Sequence, residues 1–283
     1  MISDYRCFYC FVRAFEKLLE KENISKEAKN CFTNDMVSLY QNRPDSFISP
    51  EFARQLHVLL RSYTLNPDPY RQEKKKYNDL AMNMFPGLQE LIGQSSDSFG
   101  TALRLGIAGN IIDFAANDNF NLQATIHKAL NCEFAIDHSK QLKNAIKKAD
   151  TILYLGDNAG EIVFDKLFIQ TINHHNLTYV VRGAPVINDS TMEDAEYVGM
   201  KDIINVISNG YDAPSTIPDK SNKQFQEYFR KADLIISKGQ GNLEGLIPLN
   251  DDRIFFLLMV KCDVMAEFMK VKKDSFVVYN TSC

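Results

Sequence analysis

Three short polar segments carry the side chains that could do chemistry in this chain. Gly156–Glu161 reads GDNAGE, Val186–Thr191 reads VINDST, and Ser237–Asn242 reads SKGQGN. Each follows an apolar run of strand length and leads into a stretch that can form a helix. In open α/β sheets, ligands bind at the carboxyl ends of the strands, and a helix amino terminus favours anions such as phosphate. We therefore expect the three segments to converge on one crevice.

Hard oxygen ligands dominate the first two segments. Asp157, Asn158 and Asp189 offer carboxylate and amide oxygens, which suit Mg²⁺, Mn²⁺ or a related divalent ion. Lys238 stands beside two glycines, where a point charge and an approachable backbone suit a phosphate. A metal, a lysine and a helix amino terminus form a set for phosphoryl transfer. The plainer interpretation is that the two aspartates cap helices and that Lys238 lies on the surface.

The spacing of apolar residues divides the chain in two. Residues 1–148 show helical spacing and no convincing strand, which predicts an all-helical bundle or cap domain. Across residues 149–283, apolar runs alternate with helical stretches, which predicts a doubly wound, mostly parallel sheet. Because the three polar segments lie in this half, it is the predicted metal- and phosphate-binding domain. The predicted fold class is α/β with an N-terminal helical domain. The predicted strands are Thr151–Leu155, Leu177–Val181, Ile203–Val206, Asp233–Ser237, Arg253–Val260 and Phe276–Tyr279.

Composition and charge restrict the class of function. The chain has 283 residues, of which 45% are hydrophobic, and a net charge of −4. This balance gives no reason to expect a nucleic-acid partner. The longest apolar stretches are much shorter than the roughly 20 residues of a membrane span, and the amino terminus lacks the form of a signal peptide. We expect a cytoplasmic protein without a membrane partner, and we assign it no oligomeric state.

Two further groups of residues allow more than one interpretation. Gly109, Asn110 and Asp113 interrupt an apolar helix in GIAGNIIDFA, where they could cap a helix, join two helices, or face the crevice and touch a substrate.

Cys7 and Cys10 form a Cys-x-x-Cys pair, but no second pair completes a zinc site. In a reducing cytosol we expect thiols rather than disulfides. The pair is either buried as small apolar side chains or part of a metal or redox site.

The ordered set of motifs resembles a known family. GDNAGE, NDST, SKGQGN and VKCD, with GNIID in a helical amino-terminal half, resemble the metal-dependent damage-control phosphatases, also labelled domain of unknown function 89. The resemblance covers nearly the whole chain and fits the short microbial type with an N-terminal Cys-x-x-Cys. It implies a helical domain packed on a doubly wound α/β domain, with Mn²⁺, Mg²⁺, Co²⁺ or Ni²⁺ in the cleft. The implied activity is hydrolysis of small phosphate esters of sugars and cofactor-related metabolites, which removes damaged or excess compounds.

The resemblance also implies roles for individual residues. The catalytic and metal-binding residues fall on Asp157, Asn158 and Asp189. Contacts to the substrate or its phosphate fall on a second set, namely Lys238, Glu161, Asn110, Asp113 and Lys261. A second metal site or a redox site falls on Cys7, Cys10 and Cys262.

A mechanism follows from these implied roles, and two other classes of function stay open beside it. A water attacks phosphorus in line, oriented by Asp157 or Asp189, while Lys238 and the amino end of helix 161–173 offset charge on the phosphoryl oxygens. In a variant of this scheme, Asp157 itself attacks phosphorus as a covalent nucleophile. The alternatives are a non-catalytic sensor of metal or phosphate ligands and a methyltransferase-like or nucleotide-binding α/β protein. No Gly-rich dinucleotide loop supports the last of these.

Overall fold

A seven-stranded sheet forms the centre of the computed structural model, which describes residues 4–109, 126 and 129–283. Its strand order is β1-β7-β6-β5-β2-β3-β4, and every neighbouring pair is parallel except β6 with β7. This topology confirms the predicted doubly wound, mostly parallel α/β sheet. The strands are β1 Phe134–Asp137, β2 Ile152–Leu155, β3 Leu177–Val181, β4 Asn205–Ser208, β5 Leu234–Lys238, β6 Ile254–Met259 and β7 Phe276–Tyr279.

Helices precede the sheet in the chain and connect its strands. In chain order, those whose bounds lie within the described residues are α1 Tyr5–Lys21, α2 Lys26–Gln41, α3 Ser49–Thr64, α4 Arg71–Gln94, α5 Ser98–Ala108, α6 Ser139–Lys148, α7 Glu161–Ile172, α8 Met192–Tyr197, α9 Lys223–Lys231, α10 Gly239–Leu246 and α11 Asp263–Met269. Two short 3₁₀ turns follow β4 and α10, at Pro218–Lys220 and Ile247–Leu249. Across the described ranges, no helix combines the length and the apolar character that a membrane crossing requires.

The central strands are buried on both faces, which explains their continuous apolar sequence. Along β2, Ile152 and Tyr154 pack in a core with α4, α5 and α7, whereas Leu153 and Leu155 pack in a core with α9 and α10. Because successive side chains of a strand point to opposite faces, one apolar run contributes to two layers. Helices α1–α3 form a third core of their own around Phe32. Helices α1–α3 therefore pack around this core, whereas α4 and α5 pack against the sheet.

Two sequence expectations differ from the structure. The expectation of no strand before residue 149 was wrong, because Phe134–Asp137 forms β1 at one edge of the sheet. Only alternate residues of β1 are partly buried, so its apolar signal is short and weak. The expected strand Ile203–Val206 is displaced by two residues, to Asn205–Ser208 at the other edge. The division into domains at residue 148 stays a prediction.

Buried polar contacts join α4 to the turns that precede α7 and α8. Lys74 is 3% exposed, and its Nζ lies 2.9 Å from Oδ2 of Asp194. The same carboxylate accepts hydrogen bonds from the backbone and hydroxyl of Thr191, which caps α8. One turn along α4, Asn78 donates to Asp194 at 3.0 Å and accepts from the backbone N–H of Gly160 at 2.7 Å. Helix α4 thereby holds both turns in place.

Replacing Lys74 should show the energetic weight of this anchor. Lys74→Met leaves the carboxylate of Asp194 buried without its cation, which should cost about 3–5 kcal/mol in the free energy of unfolding. Urea unfolding followed by circular dichroism measures this loss. The neighbouring Lys75→Met is the matched control, since Lys75 pairs with Asp79 at the exposed surface and its removal should change the midpoint little. Equal effects of the two substitutions would contradict an anchor through Lys74.

Candidate active site

The two turns that carry the acidic residues meet at the carboxyl edge of the sheet. Strands β2 and β3 are parallel neighbours, so the turns that follow them lie side by side. An isolated antiparallel bridge pairs Asn158 with Asp189. The backbone N–H of Ser190 donates to the carbonyl oxygen of Asp157 at 2.8 Å, and its hydroxyl donates to the same oxygen at 3.0 Å. These backbone contacts bring the expected carboxylates and amide together.

A cavity of about 540 Å³ lies in front of these side chains, between the carboxyl edge of the sheet and helices α1 and α3. Its wall contains seven of the residues that the sequence singled out, which are Asp157, Asn158, Asp189, Lys261, Cys7, Cys10 and Cys262. Residues from both ends of the chain therefore contribute to one cavity. Such a volume is in the range of sites for small molecules.

Burial disfavours the ionised forms of the two carboxylates. Asp157 and Asp189 are 7% and 3% exposed. Burial raises the pKa of Asp157, although the charges of Arg182 and Lys261 oppose this. Burial likewise raises the pKa of Asp189 to about 7, against the opposing effect of Arg182. Because a buried carboxylate is stabilised by a nearby positive charge, the pair favours a cation between the two side chains.

The donor set fits a hard divalent cation. Two carboxylates and an amide oxygen are ligands of the kind that Mg²⁺ and Mn²⁺ accept. The amide nitrogen of Asn158 donates to Oε1 of Glu161 at 2.8 Å, which fixes the orientation of the amide. In the described part of the chain, no group of three or more His, Cys, Asp or Glu residues is arranged to hold a metal ion.

Lys238 lies behind the cavity in a buried polar network. It is 0% exposed, and its Nζ lies 2.7 Å from Asp165 and 3.2 Å from Glu161. Asp165 also accepts hydrogen bonds from the hydroxyls of Tyr154 and Tyr179, at 2.8 and 2.9 Å. Burial disfavours the charge on Lys238, but the carboxylates of Asp165 and Glu161 outweigh this effect and raise its pKa. The ammonium is thus engaged by protein, and its expected contact with a substrate phosphate stays a prediction.

The sequence interpretation missed Arg182, which directly follows β3. Its Nε donates to Oδ2 of Asp189 at 2.6 Å, and its Nη1 donates to Oγ1 of Thr216 at 3.1 Å. Its Nη2 lies 3.6 Å from Oδ1 of Asp157. A charged residue immediately after a mostly apolar strand was the available signal, because that position lies at the carboxyl edge. One guanidinium therefore faces both carboxylates.

Of the GNIID segment, only Gly109 lies within the described residues. Gly109 ends α5, and a Cβ there would lie 3.2 Å from the side chain of Phe164 and 3.3 Å from Cα of Glu161. This close approach places the end of α5 against the first turn of α7, next to the site. Asn110 and Asp113 lie outside the described residues, so their expected contacts with substrate stay predictions.

The three cysteines of the cavity wall are thiols. None of the cysteines in the described chain forms a disulfide. Burial raises the pKa of the Cys10 thiol, and the nearby Cys7 and Cys262 add smaller effects in the same direction. Nε2 of Gln240 donates to Sγ of Cys262 at 3.5 Å. The three thiols line one cavity, and a second metal site or a redox role for them stays a prediction.

Gly239 allows the start of α10 to approach Asp157. Its φ of +78° lies in the left-handed region that favours glycine. A Cβ at this position would overlap the Oδ2 atom of Asp157. Any side chain here would therefore displace the carboxylate, the backbone of α10, or both.

The sequence and the fold of this chain are both similar to those of known proteins. Residues 3–277 match the family model described as damage-control phosphatase ARMT1-like domain. The chain is 32% identical over 282 residues to the damage-control phosphatase PH1575 of Pyrococcus horikoshii, covering 98% of this chain and 97% of that protein. It is 37% identical over 274 residues to the uncharacterized protein MJ0202 of Methanocaldococcus jannaschii, covering 92% and 90%. The crystal structure of the DUF89 family protein PH1575 superposes with a TM-score of 0.90 at 30% identity, covering 99% of both chains.

Adding a methyl group at Gly239 should disturb the carboxylate site. Gly239→Ala forces the backbone into a strained conformation and pushes Asp157 aside, so we expect the affinity for Mn²⁺ to fall by roughly tenfold or more. Isothermal titration calorimetry measures this affinity. Gly93→Ala is the matched control, because Gly93 lies exposed on α4 with nothing within 4 Å of its Cβ position. An unchanged Mn²⁺ affinity in Gly239→Ala would contradict the proximity of this position to a metal site.

Proposed function

This chain belongs to the damage-control phosphatase ARMT1-like family, and we propose that it is a divalent-metal-dependent phosphatase of small phosphate monoesters. The observation that carries the proposal is the pair of buried carboxylates, Asp157 and Asp189, which line a cavity at the carboxyl edge of the sheet. The similarity to PH1575, which is named a damage-control phosphatase, extends over nearly the full length of both chains. It therefore includes the helical residues that complete the cavity.

In this proposal Asp157, Asn158 and Asp189 hold the metal ion. A bound divalent ion supplies positive charge for the transferring phosphoryl group and lowers the pKa of a water. Oxygen ligands of this kind accept Mn²⁺, Mg²⁺, Co²⁺ and Ni²⁺. Asp189 is held by a short hydrogen bond from Arg182, whereas Asp157 lies farther from that guanidinium. We assign the orientation of the attacking water to Asp157, the less constrained of the two carboxylates.

Lys261 is the cation of the cavity wall that we assign to the substrate phosphate. It lines the same cavity as the two carboxylates and lowers the pKa of both, so its charge acts at the site. Lys238 and Glu161 support the site from behind, through the hydrogen bond between Glu161 and the amide of Asn158. The predicted substrate contacts of Lys238, Glu161, Asn110 and Asp113 remain proposals.

The size of the cavity supports metabolites rather than macromolecules as substrates. A volume of about 540 Å³ suits a phosphorylated sugar or a phosphate ester related to a cofactor. Removal of damaged or excess phosphometabolites is the biological role that we propose. A non-catalytic sensor of the same ligands would use the same cavity, so turnover is the property that separates the two functions.

Restoration of activity by metal tests the proposal directly. Chelator-treated protein, supplied with Mg²⁺, Mn²⁺, Co²⁺ or Ni²⁺ one at a time, should release phosphate from an aryl phosphate, and removal of the ion should abolish release. Asp157→Asn removes a metal ligand and the proposed water-orienting group, so kcat should fall by about 10³-fold or more. Asp45→Asn is the matched control, since Asp45 is exposed between α2 and α3.

Each of the other outcomes points to a different function. An Asp157→Asn protein with wild-type turnover would contradict the assignment of this site. Saturable binding of phosphate esters without turnover would favour the ligand sensor. Affinity for nucleotides or S-adenosylmethionine without phosphate release would favour the nucleotide-binding or methyltransferase-like alternative.

A further inference from the structure

The buried guanidinium of Arg182 lies beside the carboxylates of both Asp157 and Asp189. The side chain of Arg182 is 1% exposed and does not form part of the cavity wall. It reaches Asp189 through Nε and approaches Asp157 through Nη2. Arg182 therefore lies behind the ligand set, on the side away from the cavity, and acts on any ligand through these carboxylates.

One of its donors is unused. Within the described residues, Nη2 of Arg182 is buried and has no hydrogen-bond partner, because 3.6 Å from Asp157 is too long for a hydrogen bond. A buried donor without a partner carries a desolvation cost, so its retention at a ligand site calls for a role there. Its charge still attracts Asp157 in the low-dielectric surroundings.

Arg182 and a divalent ion would compete for the same two carboxylates. Asp157 and Asp189 together carry two negative charges when ionised, and both Arg182 and Lys261 act on them. Arg182 differs from Lys261 in lying 2.6 Å from Asp189 and 3.6 Å from Asp157, behind the cavity wall. Repulsion between the guanidinium and an ion held by the same carboxylates would therefore weaken binding of the ion.

We propose that Arg182 is a positioning residue that serves as a resident counter-cation for the metal site. It holds Asp157 and Asp189 in place in the metal-free protein and weakens metal binding, so that the ion stays exchangeable. This inference rests on the proposed function, because it assumes that the three oxygen ligands bind a divalent ion. It assigns Arg182 no contact with the substrate.

Removing the charge should tighten metal binding while destabilising the metal-free protein. We expect Arg182→Gln to bind Mn²⁺ roughly tenfold or more tightly than wild type at pH 8, measured by isothermal titration calorimetry. Its melting temperature should fall much more without Mn²⁺ than with saturating Mn²⁺, because a ligand that binds more tightly stabilises the folded state more. A merely structural arginine would lower both melting temperatures equally and leave the affinity unchanged.

Two control variants separate charge from packing. Arg182→Lys keeps the positive charge, so its Mn²⁺ affinity should stay within about threefold of wild type. Thr216→Val removes the acceptor of Nη1 and leaves the charge, so it should also bind Mn²⁺ as wild type does. If both controls bind Mn²⁺ as tightly as Arg182→Gln, loss of packing explains the effect and the inference is overturned.

The outcomes distinguish this inference from the proposed function. Wild-type protein that binds no divalent ion contradicts the metal site itself and, with it, this inference. Wild-type protein that binds Mn²⁺, beside an Arg182→Gln protein with equal or weaker affinity, overturns the inference alone. If Arg182→Gln unfolds without metal, recovery of its melting transition by Mn²⁺ supports the inference, and failure to recover overturns it.

Discussion

Desolvation of two neighbouring carboxylates is the constraint on which the site depends. Asp157 and Asp189 come from turns after parallel strands, and they are drawn together by backbone bonds rather than by their charges. Repulsion and burial both oppose this arrangement, so charge of the opposite sign must be supplied nearby. Arg182 supplies part of it from behind, and Lys261 adds a further part at the cavity wall. A divalent ion is the third source that we propose.

A second buried network holds the amide of Asn158 and the first turn of α7. Lys238, Glu161 and Asp165 form a connected set of charges with no solvent exposure, and two tyrosine hydroxyls complete the bonds to Asp165. Fully satisfied buried networks restrict a structure to one arrangement, whereas partly satisfied ones destabilise it. The network therefore favours a single orientation for the amide of Asn158, which donates a hydrogen bond to Glu161 and lines the cavity.

The helical residues of the N-terminal half participate in the site rather than simply covering it. Helix α4 holds the turns before α7 and α8 through Lys74 and Asn78. Helices α1 and α3 contribute to the cavity wall, including the thiols of Cys7 and Cys10. A ligand in this cavity would contact both halves, so the conformation of the helices can influence its binding. We therefore expect substrate selectivity to depend on α1 and α3 as well as on the loops of the sheet.

The sequence by itself determined the sheet and the location of the turns that carry the candidate site residues. An apolar run such as β2 can be buried on both faces, and a polar turn at its end leaves few other arrangements, so Asp157, Asn158 and Asp189 could be placed at one edge. Tertiary structure alone decided which charges meet. Lys238 pairs with Asp165, 73 positions away, and Lys74 pairs with Asp194, 120 positions away. The edge strand β1 and the proximity of Cys262 to α1 likewise arise from packing. Local spacing reports which face of an element is apolar, but contacts between distant residues depend on how those elements pack.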